Sequence, residues 1–284
     1  MRLADLGAWA LRGSFRLLPR SDKELRLVGP DPEVVRVPTR HGSVRCLVYR
    51  PETVADSGPV YIHFHGGAFI VRSPEQDEHV ARRIVDELQA IVVSVDYDTA
   101  PRVAFPVAEE ECIDVARWIA ARFTGPIAVG GFSAGGKLAI NVVQQGFDAA
   151  ALVVAYPALD MTLGTGERHS TLRMPAVSPW LIRLMYATYF AGADRTNRLA
   201  SPLLDPEVAY FPPTLLETGG LDAVRAEGDR FVDLLAESGV DVTHRVFEGS
   251  DHGFTGDKTA GPDAIALIID HLRAHVCSVD GRGL

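Results

Sequence analysis

The stretch GGFSAGGK, residues 130–137, follows the apolar run PIAV and precedes LAINVVQQ. Two chemistries fit its glycines. Spaced as Gly131-x-Ser133-x-Gly135, it is a sharp strand-to-helix turn that presents a serine hydroxyl as a nucleophile. Spaced as Gly131 through Gly136-Lys137, it is most of a phosphate-cradling loop. That loop needs a hydroxyl after its lysine to ligate Mg²⁺, and Leu138 carries no oxygen. It also belongs on the first strand of a domain, whereas several strand-like runs precede this one. The serine turn is the better fit, and it makes Lys137 an ordinary residue of a helix's first turn.

A serine hydroxyl is a poor nucleophile until a base takes its proton and a carboxylate orients that base. In a strand-turn-helix setting the expected chain order is Ser, then Asp or Glu, then His. GSDHGF supplies His252 after the last strand-like run, and GGLDAVRAEGDRF supplies Asp222 one strand earlier. Asp160 and Asp251 compete for the carboxylate role. Asp222 is preferred, because Asp251 adjoins the histidine and should point away from its ring, and Asp160 suits a loop tie. Attack on a carbonyl creates an oxyanion, which backbone N–H donors stabilise. Gly66 and Gly67 in HFHGGAF, with the amide of Ala134, are the candidate donors, and His65 is placed to brace their loop. His63-x-His65 offers only two metal ligands on one strand face, so no metal and no cofactor are expected.

Those residues need a scaffold that brings distant segments together. EVVRVPT and SVRCLVYRP flank His41-Gly42 and predict an antiparallel hairpin. Thereafter PVYIHF, AIVVSVD, PIAVGG, AALVVAY, PTLLETG and DVTHRVF alternate with segments of helical spacing. Such alternation predicts a mostly parallel sheet of about eight strands, covered on both faces. Every candidate residue then lies after a strand, where ligands bind in open α/β sheets. From about 163 to 211 no strand is apparent and SPWLIRLMYATYF has helical spacing, so this interval is the candidate lid.

At 284 residues and 47% hydrophobic, the chain suits one domain. A net charge of -9 disfavours nucleic acid and anionic membranes as partners. Three scattered cysteines argue against a disulfide framework and for a reducing, cytoplasmic setting. The N-terminal MRLADLGAWALRGSFRLLPR is interrupted by Asp5, Arg12 and Arg16 before a signal-peptide core could form, and no stretch is apolar enough to span a bilayer.

Taken together, HFHGGAF, DYDTAPRVAFP, GFSAGG, SPLLDP, FPPTLLETGGLDAVRAEG and HGF resemble the hormone-sensitive-lipase-like esterases of the α/β-hydrolase superfamily, from about Pro59 to the last helix. The resemblance implies an α/β-hydrolase fold with Ser133 as nucleophile, Asp222 as acid, His252 as base and Gly66, Gly67 and Ala134 as oxyanion donors. It also implies a cap, built from about 1–30 and about 163–211, over an acyl pocket. Trp9, Phe15, Trp180, Met185 and Tyr189 are its apolar content, and Ala68, Phe69 and Phe132 are expected to border the substrate. Three departures stand out. Ala68 replaces the last glycine of the family's HGGG loop; Phe132 replaces the elbow aspartate; and Asp98-Thr99 replaces an Arg-Leu pair, which predicts that a loop ion pair there is absent. The implied substrate is a small-molecule ester with a short- to medium-chain acyl group. Acyl transfer or deacetylation by the same residues, a non-catalytic ligand-binding module, and a homodimer all stay open.

Overall fold

The computed structural model describes residues 2–17, 29–53, 55 and 57–277, without the side chains of 15–17. The side chain of Phe15 and residues 18–28 of the expected cap therefore lie outside the described residues. The chain opens with helix α1 (Leu3–Leu17) and the hairpin β1 (Glu33–Thr39) and β2 (Gly42–Tyr49). It then runs β3 (Val60–Phe64), α2 (Glu78–Leu88), β4 (Ile91–Asp96), α3 (Val107–Ala120), β5 (Ile127–Phe132), α4 (Ala134–Gln144) and β6 (Ala151–Ala155). Helix α5 (Pro179–Thr188) interrupts the alternation, which resumes with β7 (Thr214–Gly219), α6 (Arg225–Glu237), β8 (Val242–Phe247) and α7 (Gly261–Val276).

The strands form one eight-stranded sheet in the order β1-β2-β4-β3-β5-β6-β7-β8. The β1–β2 and β2–β4 pairs are antiparallel and the remainder parallel. All eight expected strands are present. Strands β3 to β7 are buried along their whole length, which is why they read as unbroken apolar runs. The edge strand β8 alternates half-buried and exposed positions instead. One face of the sheet packs Ile62, Val93 and Val129 against α3 and α4 residues such as Ile113 and Leu138. The other packs Val92, Ala128 and Val153 against α2 and α7 residues such as Ile84 and Ile268. Strand β3 pairs with β4 on one side and β5 on the other, so the order of the parallel strands reverses there. The crevice beyond the carboxyl ends of β3 and β5 is thus the topological switch point, where this architecture binds ligands.

The interval 163–211 contains no strand. Helix α5 starts cleanly, because Ser178 Oγ accepts from Leu181 N and Pro179 holds the first helical position. It packs against α1, where Ala8 is fully buried. No helix among the described residues is long and apolar enough to cross a membrane, and no group of three or more of them could hold a metal ion.

Two expectations fail. Lys137 is not an ordinary first-turn lysine. It is fully buried, its Nζ donates to Glu109 Oε1 at 2.7 Å and to Asn141 Oδ1 at 2.8 Å, and the Phe69, Phe105 and Phe190 rings surround it at 5.2, 5.8 and 5.7 Å. Burial pushes its pKa down, opposed by the Glu109 carboxylate. The loop ion pair expected to be missing at Asp98 also exists, with its cation supplied from elsewhere: Arg72 donates to Asp98 Oδ1 at 2.7 Å and to Asp96 Oδ1 at 2.5 Å.

Removing one member of a buried ion pair leaves the other charge uncompensated, which costs about 3–5 kcal/mol. Lys137→Met and Glu109→Gln should each lower the unfolding free energy by about that much in urea titrations, and the double variant by less than the two losses combined. Additive losses would mean that the two groups do not stabilise one another.

Candidate active site

Strand β5 ends at Phe132 and α4 begins at Ala134, so one residue makes the whole turn. That residue, Ser133, sits at φ 56° and ψ -121°, a conformation non-glycine residues rarely adopt. Its neighbours must be nearly bare for strand and helix to come so close. A Cβ on Gly135 would lie 1.9 Å from the Phe64 carbonyl oxygen, and one on Gly131 would lie 2.4 Å from the Gly135 oxygen. Backbone bonds hold the turn: Ser133 N donates to Ala155 O at 2.9 Å and Lys137 N to Ser133 O at 3.2 Å.

The loops after β7 and β8 bring the other two residues in. Gly220 N donates to Phe247 O at 2.9 Å and Leu221 N to Ser250 O at 2.9 Å, so the two loops brace each other. His252 then lies with Nε2 2.7 Å from Ser133 Oγ and Nδ1 2.7 Å from Asp222 Oδ2. A carboxylate only accepts, so Nδ1 carries the hydrogen and Nε2 offers its lone pair to the serine hydroxyl. Asp222 is buried, and its other oxygen accepts from Val224 N at 3.1 Å. The Tyr156 ring packs 4.9 Å from the imidazole, and its hydroxyl bonds Thr255 Oγ1. Asp160 is turned elsewhere: its Oδ1 accepts from Thr162 N at 3.0 Å and its Oδ2 lies 3.8 Å from Arg230. Asp251 Oδ2 accepts from Ala176 N at 2.8 Å.

The loop after β3 faces the serine. A Cβ on Gly66 would lie 3.4 Å from Ser133 Cβ. Among the described residues, the N–H groups of Gly66, Gly67 and Ala134 donate to no other residue, which leaves them for a ligand. His65 braces this loop as expected: Nδ1 bonds Gly66 O at 2.6 Å, the ring stacks on Tyr97 at 4.3 Å, and the Tyr97 hydroxyl donates to His65 O at 2.7 Å. Burial lowers the His65 pKa, which keeps the ring neutral. His63 Nε2 bonds Asp77 Oδ2 at 2.9 Å beneath Phe132, whose ring meets His63 edge-on at 4.8 Å. Burial, the largest single influence, raises the Asp77 pKa, but the hydrogen bond and charge of His63, with the help of His79 and Gln76, together outweigh it, and the carboxyl lies below its usual range.

A cavity of about 1350 Å³ opens over these groups. Ser133, His252, Gly66, Gly67 and Ala134 line it, as do Ala68, Phe69, Phe132, Trp180 and Met185. Asp222 stands behind His252 and is not part of the wall. Tyr189 is a correction. It is fully buried behind Phe69, with the rings stacked at 4.7 Å and its hydroxyl donating to Glu109 Oε2 at 2.5 Å, so it supports the wall without reaching the cavity.

Sequence reading missed two contributors. Arg168, buried on the cavity wall, donates from Nε to Glu227 Oε1 at 2.6 Å, while Glu227 Oε2 accepts from Leu159 N and Asp160 N at 2.7 Å each. That pair ties the loop leaving β6 to α6. In sequence Glu227 reads as a plain acidic residue in a helix's first turn. Gln76 is the other: its Nε2 would lie 3.2 Å from a Cβ on Gly66, and it donates to Asp77 Oδ2 at 3.3 Å. Nothing in the spacing of PEQDEH marks it.

Residues 61–256 match the protein family described as alpha/beta hydrolase fold. Esterase LipI of Mycobacterium tuberculosis is 28% identical over 275 residues, spanning 89% of this chain and 82% of its own length. Carboxylesterase NlhH of the same species is 30% identical over 241 residues, spanning 80% and 73%. An esterase of Pyrobaculum calidifontis superposes with a TM-score of 0.85 at 29% identity, over 96% of this chain and 93% of its own. The family match runs from β3 through the loop after β8, and the relatives and the superposed structure cover four-fifths of the chain or more, so the chain belongs to the α/β-hydrolase family, in its hormone-sensitive-lipase-like carboxylesterase branch.

Proposed function

We propose that this carboxylesterase-class enzyme hydrolyses short- to medium-chain acyl esters through a covalent acyl-serine. The observation that carries the reading is the chain of two 2.7 Å contacts from Ser133 Oγ through His252 to Asp222. Ser133 Oγ attacks the acyl carbon as its proton passes to His252 Nε2. The carbonyl π electrons move onto oxygen, and the N–H groups of Gly66, Gly67 and Ala134 receive the resulting negative charge. Collapse of that adduct breaks the bond to the alcohol oxygen, which takes the proton from Nε2. Water then repeats the sequence on the acyl-serine, giving up its proton to Nε2, and the acid leaves as Ser133 regains its hydrogen. Asp222 holds the tautomer and stabilises the imidazolium formed twice per cycle. Apolar wall residues, among them Phe69, Ile182 and Met185, support an acyl chain held by contact area.

Chromogenic para-nitrophenyl esters of graded acyl length test this. Ser133→Ala should lower kcat by about 10⁶-fold, comparable with losing the nucleophile in other serine hydrolases. Equal turnover by wild type and Ser133→Ala would remove the serine from the reaction.

The carboxylate assignment has its own comparison. Asp222→Asn should cost about 10⁴-fold in kcat because the amide imposes the wrong imidazole tautomer, while Asp160→Asn should stay within about tenfold of wild type. A larger loss at Asp160 would reverse the assignment.

A further inference from the structure

The cavity wall carries Arg12, Arg45, Arg72, Arg102 and Arg168, in a chain whose net charge is -9. Three of these cations are neutralised in place. Arg45 meets Asp96 and Glu75 at 2.7 Å each, Arg72 meets Asp96 and Asp98, and Arg168 meets Glu227. The wall's carboxylates are spoken for as well: Glu75 and Asp96 by those arginines, and Asp77 by His63. Arg102 is different. It is exposed, and no hydrogen bond or ion pair joins its guanidinium to another described residue. It rests on the Trp9 ring, 5.6 Å from the centroid, and Arg12 lies 5.1 Å from the same ring.

The backbone under Arg102 is tied to the segment that continues the loop facing Ser133. Arg102 N donates to Thr99 O at 3.2 Å, closing a turn, and Ala100 N donates to Phe69 O at 2.8 Å. Phe69 directly follows Ala68 of the loop that faces Ser133. Arg12 Nη1 ties the same turn to α1, donating to Thr99 Oγ1 at 2.9 Å and Ala100 O at 3.1 Å. An unneutralised guanidinium thus stands on the α1 side of the cavity, one face covered by indole. The same cavity wall carries Leu11, Leu181 and Met185, available to methylenes. A guanidinium presents a planar fork that matches a carboxylate, and an aromatic face limits its hydration from one side.

We propose that Arg102, seated on Trp9, binds a carboxylate at the far end of the acyl chain, so that the preferred substrates are monoesters of dicarboxylic acids. This rests on the ester-hydrolysis reading above. The carboxylate stays ionised and unreacted, and only the ester bond at the other end is cleaved.

The test compares para-nitrophenyl monoesters of adipic, suberic and sebacic acids with the hexanoyl, octanoyl and decanoyl esters of equal carbon number. For at least one chain length, kcat/KM for the acid-bearing ester should exceed that for its neutral counterpart. Arg102→Gln should lower that ratio by about tenfold, Arg102→Lys should lower it less, and raising salt from about 0.05 to about 0.5 M should erode the wild-type ratio. Titrating Ser133→Ala with suberate gives a readout without turnover, and its Kd should rise by about tenfold when Arg102→Gln is added. A ratio and a Kd that ignore the Arg102→Gln change would overturn the proposal even with neutral esters turning over normally. Absence of turnover on every ester would sink the hydrolytic reading itself, and this one with it.

Discussion

The arrangement depends on a steric constraint at one turn. Ser133 occupies a backbone conformation that costs roughly 1–3 kcal/mol, and such a residue persists only where its surroundings leave no alternative. Here the surroundings are β3 and β6, paired on either side of β5, and the amino end of α4, which crosses the end of β3 within contact distance of Phe64 O. Any Cβ at Gly135 would drive the helix off the strand. Because it is absent, the serine, the first amide of α4 and the loop beginning at His65 share one small region. Their mutual spacing follows from backbone packing and needs no side-chain adjustment.

The imidazole reaches that region from a different part of the sheet, so its position has a different cause. Asp222 and His252 sit on loops that leave neighbouring parallel strands, and backbone bonds between 220–221 and 247–250 lock the two loops together. The pair behaves as one unit carried on β7 and β8. The orientation of the His252 ring is then set by Asp222 on one edge and by the neighbouring Tyr156 ring, tilted 58° to it. Only one rotational choice remains, and it points Nε2 at Ser133. Strand order supplies the coarse distance and loop bracing supplies the fine one.

How far this could be read from sequence depended on whether the cause was local. Strands β3 to β7 were legible because burial on both faces leaves a run of apolar residues, and β1, β2 and β8 because their β-rich runs are bounded by turn residues, signals contained within each segment. The meeting of Ser133, Asp222 and His252 was legible because turn chemistry and chain order constrain their types. Lys137 was not. What makes it a core residue is Glu109 on another helix and three aromatic rings from separate segments, and no window around GGKLA contains them. Asp98 misled for the same reason: substituting its position removed one cation, but Arg72 supplied another from 26 residues upstream. Tyr189 had the right composition for a pocket and the right helix, yet its hydroxyl is drawn inward by Glu109, a preference its own helix does not reveal.

Glu109 thus connects features that look unrelated in the sequence. It accepts from Lys137 on the helix that follows the serine and from Tyr189 at the end of α5, and Tyr189 in turn stacks on Phe69, whose other neighbours include the cavity. Phe105 N donates to Tyr189 O at 2.9 Å, adding a backbone tie to the same place. The apolar wall beside Ser133 is therefore backed by a charged, hydrogen-bonded layer. Such a layer resists repacking, because each member would be left without a partner if the wall moved. On the proposed reading, chemical choice among substrates then falls to side chains outside the layer, such as Arg102.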